Sequence, residues 1–188
     1  MNTSFAKLLQ SKKEKEALTP VFFNLSSVSD QEAVKKLIET GGIQYILDDY
    51  EEQQLELFGV NNPSKVYTPS FKDEFKAHYE ALGLKAPLYE DGVWVHFPWS
   101  SKLVHILNED DFQRVRTARN KNLITEEEQH KFYHATVGIG GLSVGSSVAL
   151  ALVLQGGAKH IKLADMDRLA LSNTNRILSG VDNLGVLK

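Results

Sequence analysis

The chain has 188 residues, 42% hydrophobic and 24% charged, with a formal net charge of −3 and no cysteine. That composition is that of a folded chain long enough for one sizeable domain or two small ones, and its charge offers no footing for nucleic acid or an anionic membrane surface. Disulfides, thiolate zinc sites and cysteine nucleophiles are excluded, no apolar run nears the roughly 20 residues that span a bilayer, and without a signal-peptide pattern the cytoplasm is the expected compartment.

In chain order, residues 5–17 read as a helix, followed by a short strand over Val21 to Leu25. Ser29 and Glu32 have the spacing of a capping box, and Gly41 is the expected stop for that helix. Apolar positions at Ile43, Ile46, Leu47, Tyr50, Leu55 and Phe58 predict an amphipathic helix, with Asp48 to Glu52 on its solvated face. A helix opened by Ser70 and Asp73 is expected to end at Gly83. Asp91-Gly92 reads as a hairpin turn, and two helices are expected near 101–107 and 109–119. Thr125 and Glu128 form a further capping box before E-E-E-Q-H-K-F-Y-H.

From Ala135 the pattern changes. A-T-V-G-I-G predicts a short strand, a glycine-rich turn follows, an apolar helix runs from about 143 to 155, and H-I-K-L-A-D predicts a second strand. The expected fold class is therefore α/β: an N-terminal α+β region over 1–110, then an incomplete Rossmann-like β-α-β nucleotide-binding unit over 111–188. Gly138, Gly140, Gly141 and Gly145 could let a phosphate approach backbone N–H groups at a helix start, with Ser143 and Ser146 small enough not to obstruct it. Asp165 ends the second strand, where an acid would hold a ribose hydroxyl. Asp167, Asn173, Arg176 and Lys188 follow on the same side of the sheet. Without a ligand, Asp167 and Arg176 would be an exposed ion pair of little energetic weight.

The stretch G-G-L-S-V-G, then L-A-D-M-D-R-L-A-L-S-N-T-N-R, then G-V-L-K resembles the ThiF/MoeB-type adenylyltransferases, the superfamily of ubiquitin-activating enzymes. The resemblance covers residues 112–188. By position it implies that Asp165 is the ribose-binding acid and that Ser172, Asn173, Arg176 and Lys188 surround the ATP phosphates. It also implies an arginine before the first strand that reaches a partner subunit's nucleotide, for which Arg116 and Arg119 both qualify. The family's glycine pattern can be laid from Gly138 or from Gly141. The second register also aligns Gly157, makes Gly138 a strand residue, and puts Ser143 and Val144 where glycines are expected. Gly92 to Trp99, G-V-W-V-H-F-P-W, further resembles a segment of a bacterial subfamily, in some members of which a nitroreductase-like domain follows.

The resemblance implies ATP-dependent adenylation of a carboxylate, with magnesium, on the C-terminus of a small ubiquitin-like or sulfur-carrier protein. A homodimer is expected. The family's magnesium-binding acid falls beyond Lys188, so this chain is expected to be an N-terminal fragment, inactive alone. Two alternatives stand beside it: an NAD-binding oxidoreductase subunit, and a non-catalytic scaffold or partner-binding module. No metal site is expected from these residues. His130 and His134 share a helical spacing but lack a third ligand, and read as surface or packing histidines. Trp94, Phe97 and Trp99 read as core anchors. His78, His96 and His105 have no assigned role.

Overall fold

A computed structural model describes residues 19–188, and the helix expected over 5–17 lies outside them. The chain is a mixed α/β protein that divides into two compact units, one up to Phe112 and one from Gln113.

The first unit is built on a four-stranded mixed sheet in the order β1-β3-β4-β2. Its strands are β1 (Val21–Phe23), β2 (Tyr45–Leu47), β3 (Val93–Phe97) and β4 (Lys102–Ile106). β3 pairs antiparallel with both β1 and β4, while β2 lies parallel to β4 at the other edge. Pairing sets Phe23 opposite Trp94, His105 opposite Trp94 and Leu103 opposite His96, so these side chains share one face. Phe23, Trp94 and Leu103 form the core there with Ile43 and with Val34 of helix α1 (Val28–Glu39). Burial of a Leu103-sized side chain contributes about 2 kcal/mol.

Helix α2 (Tyr50–Asn61) buries Tyr50, Gln54 and Leu57, and α3 (Phe71–Gly83) buries Phe75. Phe58 joins the two helices through rings of Phe71, Phe75 and His78 at centroid distances of 5.2 to 5.9 Å. α4 (Glu109–Arg116) follows, with three acids in its first turn and two arginines in its last, both favourable to the helix dipole.

Four expectations are corrected here. The helix expected from Ile43 to Phe58 begins only at Tyr50. Residues 45–47 are instead drawn into parallel pairing with 102–104, and Asp49 holds the N-cap position. The helix expected at 101–107 is strand β4, whose alternation of exposed and buried residues has the two-residue period of a sheet. Asp91-Gly92 is not the hairpin turn. That turn is Pro98 to Ser101, with Ser101 in the left-handed region at φ 52°. Gly92 has φ +68°, and a Cβ there would stand 2.4 Å from the Ile106 carbonyl oxygen and 2.8 Å from the Tyr50 ring, so glycine permits a close approach instead. The Ser29–Glu32 box is also not made: α1 starts two residues earlier than that box requires, with Ser27 at the N-cap, and Gly41 follows its C-cap at φ +77°.

The second unit holds α5 (Glu126–His134), β5 (Thr136–Gly140), α6 (Gly145–Leu154) and β6 (His160–Ala164). The Thr125–Glu128 capping box forms reciprocally, with Glu128 N–H donating to Thr125 Oγ1 and Thr125 N–H to the Glu128 carboxylate. β5 and β6 pair in parallel, Thr136 with His160 through Gly140 with Ala164, and α6 is the crossover between them. No residue of α6 is buried, although G-S-S-V-A-L-A-L-V-L carries no charge. Among the described residues no helix is long and apolar enough to cross a membrane.

Candidate functional site

The parallel pair β5–β6 brings both strand ends to one edge, and α6 begins directly above it. Gly138 and Gly140 lie inside β5, as the register starting at Gly141 expects. Gly141 leaves the strand at φ +80° and donates to the Ala164 carbonyl at 2.8 Å, which sews the turn to the end of β6. Gly145 opens α6 where a Cβ would lie 2.7 Å from Ile139 Cγ2, so its lack of a side chain lets the helix start close over β5. Gly145 N–H donates to the Gly141 carbonyl, and both Ser147 and Val148 N–H groups to that of Val144. Among the described residues the N–H groups of Ser143, Val144 and Ser146 have no backbone acceptor. They are the unpaired donors of a helix start, and the dipole adds positive potential there.

Asp165, at the end of β6, turns its carboxylate back onto this turn. Oδ2 accepts from Leu142 N–H at 2.6 Å and Oδ1 from Asp167 N–H at 2.8 Å. These backbone donors, Asp167 first and then Leu142, hold its carboxyl below the ordinary aspartate range. Each oxygen keeps a further lone pair, so the brace leaves capacity for a ribose hydroxyl.

Arg176 reaches the turn from the segment after β6. Its Nε–H donates to Ser143 Oγ at 2.6 Å, and the same guanidinium bonds Asn175 Oδ1 at 2.9 Å and the Ser172 carbonyl at 3.4 Å. Asn173 Oδ1 accepts from Ala170 N–H at 3.0 Å and so closes the turn in which it sits. Lys188 lies 3.0 Å from Asp167 Oδ2, its side chain only 7% exposed. Backbone bonds between Leu169 and Val186 and between Lys188 and Asp167 lay the last residues alongside 167–169. The ion pair of Asp167 is therefore with Lys188, not Arg176.

The structure thus gathers Gly141, Ser143, Gly145, Asp165, Asp167, Ser172, Arg176 and Lys188 around one edge. Arg116, in the last turn of α4, and Arg119, in a 3₁₀ turn over Ala118–Asn122, make none of these bonds. The His130 and His134 rings lie tilted against each other at 4.1 Å on α5, with His134 Nδ1 on the His130 carbonyl, and no group of three metal-binding side chains occurs among the described residues.

A second cluster, around His105, lies in the first unit. The His105 ring, 1% exposed, lies between Tyr50 at 3.9 Å and Trp94 at 4.3 Å, nearly parallel to both. Its Nδ1 faces Asp48 Oδ1 at 2.9 Å and its Nε2 the Asp91 carbonyl at 2.7 Å. Burial first, then the neighbouring Asp91 carboxylate, raises the Tyr50 phenol above its ordinary range, while Gln54 works the other way. Asp48 is thus a buried ring's partner and not merely part of a solvated face. The partners lie 57 residues apart in sequence, and no local pattern marks them.

A curated protein from Mycobacterium tuberculosis (strain CDC 1551 / Oshkosh), the uncharacterized protein MT1398, is 35% identical over 150 residues, 78% of this chain. The match is 21% of that protein, so the chain spans about a fifth of the length of the curated relative it matches. No family model matches the chain, and no solved structure matches it.

Proposed function

We propose that β5–α6–β6 is the start of a Rossmann-like nucleotide-binding unit and that it holds the phosphates of ATP. The observation that carries this reading is the convergence on one strand edge of unpaired helix-start N–H groups, the Arg176 guanidinium and the Asp165 carboxylate. Such a set fits a polyphosphate on a ribose: amide donors and a fork of cationic donors for the phosphate oxygens, and an acid for a sugar hydroxyl. In a longer protein, of which the relative's length gives an example, further chain would extend the sheet and cover α6. A helix apolar on every side is normally an interior one.

The reaction this supports is adenylation of the ThiF/MoeB type. A carboxylate oxygen, at the C-terminus of a small carrier protein, bonds to the α-phosphorus while the bond to the pyrophosphate oxygen breaks and pyrophosphate leaves with the electron pair. Arg176 would balance the charge growing on pyrophosphate, and Lys188 would join it on release from Asp167. Positioning and charge balance supply most of such a step. The magnesium that the family reaction uses would be held by one or two carboxylates together with the substrate phosphates, and none of these residues is assigned to it.

Calorimetric titration of the 188-residue chain with ATP and with NAD tests the proposal. ATP binding that Arg176→Ala weakens about tenfold, the loss expected for a charged hydrogen bond, is the predicted result. NAD binding tighter than ATP, or binding of neither, overturns it. Pyrophosphate exchange by this chain alone is expected to be absent.

A further inference from the structure

We infer that Ser143 is a positioning residue that aims Arg176, an inference that rests on the phosphate-binding reading above. The turn carries serine where the resembled pattern has glycine, and two explanations are open for any small residue at that place. Either smallness alone matters, because a larger side chain would block a ligand, or the hydroxyl itself does something. The geometry favours the hydroxyl. Ser143 Oγ accepts the Nε–H of Arg176 at 2.6 Å, across 33 residues of sequence.

A guanidinium has five N–H donors in a fixed plane. Nε–H is taken by Ser143, and one terminal nitrogen, Nη1, is shared between Asn175 Oδ1 and the Ser172 carbonyl. Three of the five protons are thus engaged. The other terminal nitrogen has no acceptor among the described residues, so its two donors, one of them on the same side as the Nε–H that Ser143 holds, are left for a ligand. Without Ser143 Oγ the side chain would keep only its contacts to Asn175 and Ser172, both within four residues of itself, and nothing would tie it to the start of α6. Ser143 contributes both its backbone N–H, unpaired in the turn, and the acceptor that fixes the arginine beside it. The ligand class is a phosphate group of a nucleotide, met by backbone donors and by a pre-aimed guanidinium.

The test compares Ser143→Ala, Ser143→Gly and Ser143→Thr in the 188-residue chain, each checked for native far-UV circular dichroism. The Arg176 Nε–H resonance is followed by ¹⁵N NMR, and ATP binding by calorimetry. The expected result is a protected Nε–H in the wild type and Ser143→Thr that is lost in Ser143→Ala and Ser143→Gly. ATP affinity is expected to fall about tenfold in the same two variants and to stay near wild type in Ser143→Thr. In an Arg176→Ala background Ser143→Ala should add no further loss. Wild-type Nε–H protection and ATP affinity in Ser143→Gly overturn the role of Ser143 while the phosphate site stands. Absence of ATP binding by the wild type overturns the phosphate site, and the aiming role falls with it.

Discussion

The two units differ in how their apolar residues are used. The first buries Phe23, Val34, Ile43, Tyr50, Leu57, Phe75, Trp94, Val95, Leu103 and Leu107, and closes a polar cluster around His105. The second buries only Leu142, Ala158 and Leu169 among its large and small apolar residues, and leaves Val144, Val148, Val153, Leu154, Leu163 and Met166 exposed. The first is therefore held by side-chain packing. The second is held by backbone pairing, one capping box and carboxylate-to-amide bonds around the turn. Where order rests on a few polar bonds, a bound ligand can add a large share of the total.

The largest effect expected from this contrast is at His105. His105→Ala removes a ring stacked on both faces and strands the Asp91 carbonyl, and should cost about 3 kcal/mol, read by urea unfolding. Both tryptophans, Trp94 and Trp99, are in the first unit, so their fluorescence reports on it. Gly92→Ala should follow closely, at about 2 to 3 kcal/mol, because its Cβ would meet a backbone carbonyl and a buried ring at a positive φ. Gly138→Ala is the contrasting case in the second unit. Nothing lies within 4 Å of the added carbon, and its effect on thermal unfolding should stay within about 0.5 kcal/mol. A Gly138→Ala cost equal to that of Gly92→Ala would break the distinction between a packed unit and an open one.

What could be read from the sequence follows the same division. The Thr125–Glu128 box, the strand Thr136–Gly140, the turn at Gly141 and the second strand, His160–Ala164 with Asp165 directly after it, are local patterns, and they form within a residue of where they are expected. In the first unit the helix opened by Ser70 and ending at Gly83 forms where expected, but local pattern misled at two strands. Lys102–Ile106 has a polar residue, His105, at a core position, and only its pairing with Trp94 and Asp48 makes that histidine an interior one. Tyr45–Leu47 is too short to show a period, and its parallel partner lies more than fifty residues on. In the candidate site the residue types were legible, but the pairings were not. Nothing in the order of residues links Ser143 to Arg176, or gives Lys188 rather than Arg176 to Asp167.

The smaller effects belong to the polar bonds of the second unit. Thr125→Ala should cost about 1 kcal/mol through loss of the cap, measured as a lowered melting temperature, and Thr125→Ser should recover most of it. The Glu128 carboxyl is held below its ordinary range by the backbone N–H and then the hydroxyl of Thr125. Its contribution is present above the unfolded carboxylate range and lost as pH falls through the lower folded value.

Asp165 behaves with the same sign and tests the turn directly. Its folded value lies below the unfolded aspartate range near about 4, so the ionised form braces Leu142 and Asp167 at neutral pH, and protonation at acid pH weakens both bonds. Because the carboxylate is open to solvent, the global effect is expected to be small and the local one clear. On lowering the pH from about 6 to below the ordinary aspartate range, the Leu142 amide should shift upfield and lose protection relative to its intrinsic exchange rate, and Asp165→Asn should remove that acid response. A Leu142 amide that ignores pH in the wild type would mean that the turn is held by its glycines and the Ala164 carbonyl alone. The carboxylate would then be free for a ligand from the start.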